Sequence, residues 1–187
     1  MSQNVLIALG SNATLFDRNP KEIIQSAIGQ LSERLEKLCE SSIIYRTPCF
    51  PVGAGPDYAN AVIRVATDHS PEEILLILHE IEADFGRVRD VRWGMRTLDL
   101  DLIAVGDRVL PDGEVVQAWI DLPLADQMRE APDRLVLPHP RLQDRAFVLV
   151  PMADVAPDWV HPLLNRSVRE MLGQLPGSDI DAVIPYE

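Results

Sequence analysis

The sequence predicts an α+β fold in which helices pack on an antiparallel sheet. Three observations lead there: short apolar or alternating runs at residues 4–9, 42–47, 58–67 and 98–105, two amphipathic helical stretches opening at Pro20 and Pro71, and a Gly106-Asp107 turn placed to make a hairpin.

The elements follow in order. Asn4 to Leu9 is an apolar strand ending in the turn Gly10-Ser11-Asn12. Asn19-Pro20-Lys21-Glu22 is a helix start, with proline at the first helical position and an acid at the third. Ile24, Ala27, Ile28, Leu31, Leu35 and Leu38 then recur at helical spacing. Ser42 to Thr47 is the second strand, and Pro48 to Pro56, with two glycines and three prolines, is a loop. Tyr58 to Thr67 alternates as a third strand. Ser70-Pro71-Glu72-Glu73 caps a second helix marked by Ile74, Leu75, Leu78, Ile81 and Phe85. Leu98 to Val105 is the fourth strand, turned by Gly106-Asp107 towards Arg108–Leu110. Residues 107–133 form a long, weakly patterned insertion. Ala146 to Val155 is a third helix and Ser167 to Leu175 a short fourth. The whole of 1–187 is expected to be a single domain.

Composition narrows the function. The chain has 29 acidic against 17 basic residues, a net charge of -12, which disfavours nucleic acid or an anionic membrane as partner. No apolar run approaches membrane-spanning length, and the N-terminus lacks the basic start of a signal peptide. Cys39 and Cys49 have no metal-site spacing, and a cytoplasmic location is expected.

The chemistry concentrates in residues 87–101. Arg87, Arg89, Arg92 and Arg96, with Trp93-Gly94 among them, precede Asp99 and Asp101. On a strand the two aspartates share one face while Leu98, Leu100 and Leu102 take the other, and two strand steps separate the acids by roughly 7 Å. That spacing suits a pair of magnesium ions about 4 Å apart. Arginine offers planar, permanently charged donors for phosphate oxygens, so acids beside arginines suit phosphoryl-type transfer from a nucleotide. Taken singly, each feature is also compatible with a solvated surface.

Further motifs occur in chain order: Ala8-Leu9-Gly10-Ser11-Asn12, Tyr45-Arg46-Thr47-Pro48, Pro56-Asp57-Tyr58-Ala59-Asn60-Ala61, Arg92-Trp93-Gly94-Met95-Arg96-Thr97-Leu98-Asp99-Leu100-Asp101, Leu137-Pro138-His139-Pro140 and Arg145-Ala146-Phe147. Together they resemble the 6-hydroxymethyl-7,8-dihydropterin pyrophosphokinases of folate biosynthesis, over about residues 5–160. The resemblance implies a ferredoxin-like, three-layer α/β/α arrangement, and transfer of pyrophosphate from ATP to the pterin hydroxymethyl group with release of AMP. It implies two magnesium ions held by Asp99 and Asp101, and a catalytic loop carrying Arg87, Arg92, Trp93 and Arg96. Thr47, Pro48, Phe50, Tyr58, Asn60 and Phe147 match pterin-site residues, and Glu82, Arg134, His139 and Arg145 match nucleotide-side residues. Neighbouring folate-pathway enzymes are the protein partners it suggests.

The residue types suit these roles. A flat, hydrogen-bond-rich ring favours an aromatic for stacking and an amide with both donor and acceptor. Attack on a β-phosphorus needs charge neutralisation and in-line placement more than a strong base. The chain departs from the family pattern in its longer 107–133 segment, in His79 where some members carry a glutamine near the adenine, and in a loop between Arg89 and Arg92 one residue shorter than in some relatives. Taken alone, Tyr58 and Asn60 would simply open a strand, Phe147 would be core, and His139 would be an ordinary loop histidine. Gly10-Ser11-Asn12 is assigned to structure. Two other classes stay open: a different magnesium-dependent nucleotidyl transferase or phosphohydrolase, and an inactive nucleotide-binding relative.

Overall fold

Reciprocal caps set where the first two helices begin. Asn19 accepts the Glu22 N–H and the Glu22 carboxylate accepts the Asn19 N–H, opening α1 (Pro20–Arg34). Ser70 and Glu73 do the same for α2 (Pro71–Asp84). The computed structural model describes residues 2–49, 55–86, 97–123, 126 and 129–187. Helix α1 stops short of the expected stripe. Glu36 adopts a left-handed backbone (φ 51°), and Leu38, expected on the apolar face, is 91% exposed.

The strands are β1 (Gln3–Ser11), β2 (Glu40–Ser41), β3 (Tyr45–Thr47), β4 (Tyr58–Thr67), β5 (Asp99–Val105) and β6 (Ile184–Pro185), in the spatial order β5-β1-β4-β3-β6 with β2 also on β4. All the pairings are antiparallel. The expected strand at 42–47 is thus two short pieces. Between them the Ser42 hydroxyl, not its carbonyl, takes the Val62 N–H at 3.0 Å, and the ladder is interrupted. The sequence β1-α1-β3-β4-α2-β5 is the split βαβ repeat of a ferredoxin-like fold.

Two cores flank the sheet. Val5, Ile7, Leu9, Ala61, Ile63, Leu98, Leu100 and Leu102 face α1 and α2. Leu6, Val62, Ile103 and Ala104 face a second layer. Among the described residues further α-helices are α3 (Gly113–Ile120), α4 (Ala146–Val155), α5 (Val168–Leu172) and α6 (Gly177–Asp181). The second layer comes from α4, through Val148, Leu149, Met152 and Val155, and from α5, through Val168 and Met171. The register of β5 on β1 shifts between Ala104 and Leu102, leaving Ile103 as an extra residue, so that both Ile103 and Ala104 enter the second core.

The segment after β5 corrects two expectations. No hairpin forms at 106–110: Leu110 exchanges both backbone hydrogen bonds with Leu137, each 2.9 Å. The outer edge of β5 is already occupied, because His139 N–H donates to the Ile103 carbonyl (2.8 Å) and Leu100 N–H donates to Glu82 (2.8 Å). The insertion also contains a helix. Asp112 accepts the Val115 N–H at 2.9 Å to open α3, which buries Val116. The C-terminal α6 and β6 had no expected counterpart, and β6 covers the free edge of β3.

Candidate active site

Four adjacent strands set Tyr45, Asn60, Gly10 and Asp99 directly opposite one another, on the face that α4 covers. The helix seals only part of that face. Leu6 and Val62 lie buried beneath it, whereas Ala8, Gly10, Asp99 and Asp101 are only half-buried. The result is a trough floored by small residues of the central strand, with an amide on one bank and two carboxylates on the other.

On the amide side, buried Asn60 donates from Nδ2 to Thr47 Oγ1 at 2.8 Å. This bond fixes the amide plane, so Asn60 holds a set orientation before any ligand arrives. Tyr58 is half-buried opposite Thr47, and Pro48 follows, exposed. Cys49 Sγ accepts the Gly55 N–H at 3.1 Å, joining the two sides of the segment that contains Phe50. Phe50 itself lies outside the described residues.

On the acidic side, the period-two expectation holds: Leu98, Leu100 and Leu102 enter the α1/α2 core, so Asp99 and Asp101 face the trough. Arg145, at the start of α4, sets Nη1 3.8 Å from Asp101 Oδ2. Its guanidinium also lies 5.6 Å from the Phe147 ring centroid. Phe147 is 42% exposed and is not a core residue. His139 lies close by. Its Nδ1 accepts the Arg141 N–H at 3.2 Å, which places the proton of the neutral ring on Nε2. Burial, then the charges of Arg145 and Arg141, push its pKa down to about 3 against the smaller pull of Asp99. The ring is therefore a neutral donor at physiological pH.

Two expected site residues lie apart from this group. Glu82 is buried on α2, across the sheet from the carboxylates, where it accepts the Leu100 N–H between Asp99 and Asp101. Arg134 is exposed, and its partner is the adjacent Asp133 at 3.2 Å. Arg87, Arg92, Trp93 and Arg96 lie outside the described residues.

The turn assigned to structure carries more than a turn. Buried Ser11 donates from Oγ to the Thr97 carbonyl at 2.6 Å, two residues before Asp99. Asn12 Nδ2 lies 3.5 Å from the Pro56 carbonyl, two residues before Tyr58. One end of the central strand therefore ties down both approaches to the trough. Nothing local in Gly-Ser-Asn announces contacts 86 and 44 residues away.

The donor set suits magnesium with a nucleotide. Among the described residues no cluster of three or more metal-ligating side chains exists. Magnesium takes hard oxygen ligands and is commonly held by one or two carboxylates plus substrate phosphates, which two half-exposed aspartates on one strand face provide. No described helix is long and apolar enough to cross a membrane.

Paired acids on one sheet face of a three-layer βαββαβ fold suit a nucleotide-dependent transferase. The family model for 7,8-dihydro-6-hydroxymethylpterin-pyrophosphokinase (HPPK) matches residues 6–157, and the chain belongs to that family. A 2-amino-4-hydroxy-6-hydroxymethyldihydropteridine pyrophosphokinase of Pseudomonas aeruginosa is 37% identical over 186 residues, covering 97% of each chain. One from Synechocystis is 42% identical over 130 residues, 70% of this chain and 55% of that protein. Among solved structures, an HPPK-DHPS in complex with substrates superposes with a TM-score of 0.66 at 15% identity, over 92% of this chain and 44% of that one. A Plasmodium falciparum HPPK-DHPS with pteroate gives 0.62 at 14% identity, over 93% and 43%. At such identities these two show the fold, and the chain spans less than half of either.

Proposed function

We propose that the chain transfers pyrophosphate from ATP to the hydroxymethyl group of 6-hydroxymethyl-7,8-dihydropterin, giving the pterin diphosphate and AMP in folate biosynthesis. The observation that carries this reading is the cross-strand row Asn60–Gly10–Asp99. Adjacent strands are about 4.8 Å apart, so the backbones carrying the amide and the first carboxylate lie roughly 10 Å apart with both side chains on one face. In this reading a bicyclic ring lies above that row, hydrogen-bonded at Asn60 with its substituent directed at phosphates beside Asp99.

In this reading Asn60, oriented by Thr47, binds the pterin edge, and Tyr58, Pro48 and Phe50 complete its pocket. Phe147, exposed at the rim, stacks on the ring. Asp99 and Asp101 would hold two magnesium ions, whose chemistry is to neutralise and orient the ATP phosphates. Arg145 and neutral His139 donate to phosphate or ribose oxygens, while Arg87, Arg92, Trp93 and Arg96 act from the preceding loop, with Arg134 on the nucleotide side. Glu82 holds the outer edge of β5 in place through the Leu100 N–H. The hydroxymethyl oxygen attacks the β-phosphorus, the bond from that phosphorus to the α,β-bridging oxygen breaks, and AMP leaves while the hydroxyl proton passes to solvent. No general base is assigned. Placement and charge do the work.

The test is incubation of the full chain with ATP, magnesium and the pterin, following AMP by chromatography. Pterin-dependent AMP with an equal amount of pterin diphosphate is expected. ADP, or hydrolysis independent of pterin, would establish a different phosphoryl enzyme.

A further inference from the structure

Gly10 lies within β1, paired to β4 at Asn60 and to β5 at Asp99. Glycine weakens a strand interior, because it gains no packing there and loses the most backbone freedom on folding. A structural need would show as a left-handed backbone or as a neighbour too close for a side chain. Gly86 and Gly106 have the first, with φ of 70° and 57°, and Gly10 does not. Nor is it crowded. A Cβ at Gly10 would meet Asn60 Oδ1 at 3.5 Å and the Asp99 Cβ at 3.9 Å, both ordinary contacts, with no other described atom within 4 Å. Among the described residues there is room for alanine here. The position is also half-buried while its strand neighbours Leu9 and Ser11 are buried, so solvent reaches this face of the strand.

A glycine that the fold does not require, at the floor of an open trough, marks a close approach by something outside the chain. Resting on the proposed function, we infer that Gly10 is a positioning residue for the transfer: its missing side chain leaves the passage through which the pterin hydroxymethyl group reaches the β-phosphorus. The geometry is specific. The missing Cβ stands between the Asn60 carbonyl oxygen and the first acid, on the line from ring to phosphates. A methyl group there leaves both banks intact, so each substrate still binds alone. It lifts the bridging substituent out of line in the ternary complex. In-line transfer needs reacting atoms at about 3–3.5 Å, and a displacement near 1 Å costs on the order of 10²-fold in rate.

The experiment compares Gly10→Ala and Gly10→Ser with the unmodified chain in three readouts: thermal unfolding, binding of a non-hydrolysable ATP analogue with magnesium and of the pterin separately by calorimetry, and kcat for AMP release. The expected result is a melting temperature unchanged or raised, separate affinities preserved, and kcat lowered about 10²-fold for alanine and further for the larger serine. Undiminished kcat in both variants would overturn the inference. So would a fall in kcat that only tracks lost stability, or that comes with lost binding of either substrate alone, since each would give the glycine another role. A failure of the underlying reading is distinguishable, because the unmodified chain would then release no pterin-dependent AMP.

Discussion

Arg145 Nη1 stands 3.8 Å from Asp101 Oδ2, a cation from the start of α4 set against a carboxylate on the edge strand. The contact is long and Asp101 is substantially exposed, so its effect on stability is at most about 1 kcal/mol. In the proposed function its significance is placement: a phosphate drawn to the carboxylates through magnesium would meet a guanidinium already there.

Arg145→Ala should therefore leave the melting temperature within a few degrees of the original while lowering kcat/KM for ATP by roughly 10²-fold, because charge-assisted bonds to phosphate are lost. Lysine restores the charge but not the planar fork, and partial recovery is expected. Steady-state kinetics with varied ATP checks this. An unaltered kcat/KM would remove Arg145 from the nucleotide site.

Asp99→Asn and Asp101→Asn keep the shape of β5 and remove the charge proposed to hold magnesium. Each should lower turnover by about 10³-fold or more at saturating substrates, with an unchanged circular dichroism spectrum. A magnesium titration of the rate separates weak metal binding from a lost step. Near-normal rates in both variants would sink the assignment of the acids.

Two histidines make the fold sensitive to acid. His161 is fully buried, with Nδ1 accepting the Leu163 and Leu164 N–H groups, and burial pushes its pKa down to about 4. His139 is depressed further, to about 3. Both are neutral when folded but take up a proton near pH 6.5 when unfolded. Their neutral state thus imposes no penalty above pH 6.5, and stability is lost as pH falls from there towards the folded values. The slope approaches about 1.4 kcal/mol per pH unit for each fully titrating histidine. Urea midpoints between pH 7.5 and 4.5 measure it. His161→Gln should flatten the profile, and an unchanged slope would contradict the account.

Ser11→Ala deletes the 2.6 Å bond from buried Ser11 to the half-buried Thr97 carbonyl. The cost should be about 1–3 kcal/mol. For a domain of this size that lowers the melting temperature by roughly 2–4 °C per kcal/mol. Because Thr97 lies two residues before Asp99, kcat should fall too, beyond what lost stability explains. A variant with intact activity would mean that the bond serves the fold alone.

Much of this arrangement is legible in the chain. Asn19/Glu22 and Ser70/Glu73 mark helix starts because a capping box closes within four residues. Asp99 and Asp101 share the trough face because a strand alternates every residue, and the bulge at Ile103 lies beyond them and does not disturb it. The α1 stripe extended too far because Leu38 continues its spacing, while Glu36 turns the backbone out of the helix before reaching it. Phe147 was the opposite case. Its type suggests core, yet the trough leaves it at the rim beside Arg145.

The sequence by itself determined the long strands β1, β4 and β5, the capping-box helices α1 and α2, the face of the acid pair and the family, because periodicity, capping and ordered motifs can be read from the chain alone. Only the tertiary structure decided that Gly10 lies between Asn60 and Asp99, that Ser11 holds Thr97, and that Glu82 and His139 occupy the β5 edge in place of a hairpin. Those relations depend on cross-strand register and on which backbone groups remain unpaired once the layers pack. Both are settled only when distant segments meet.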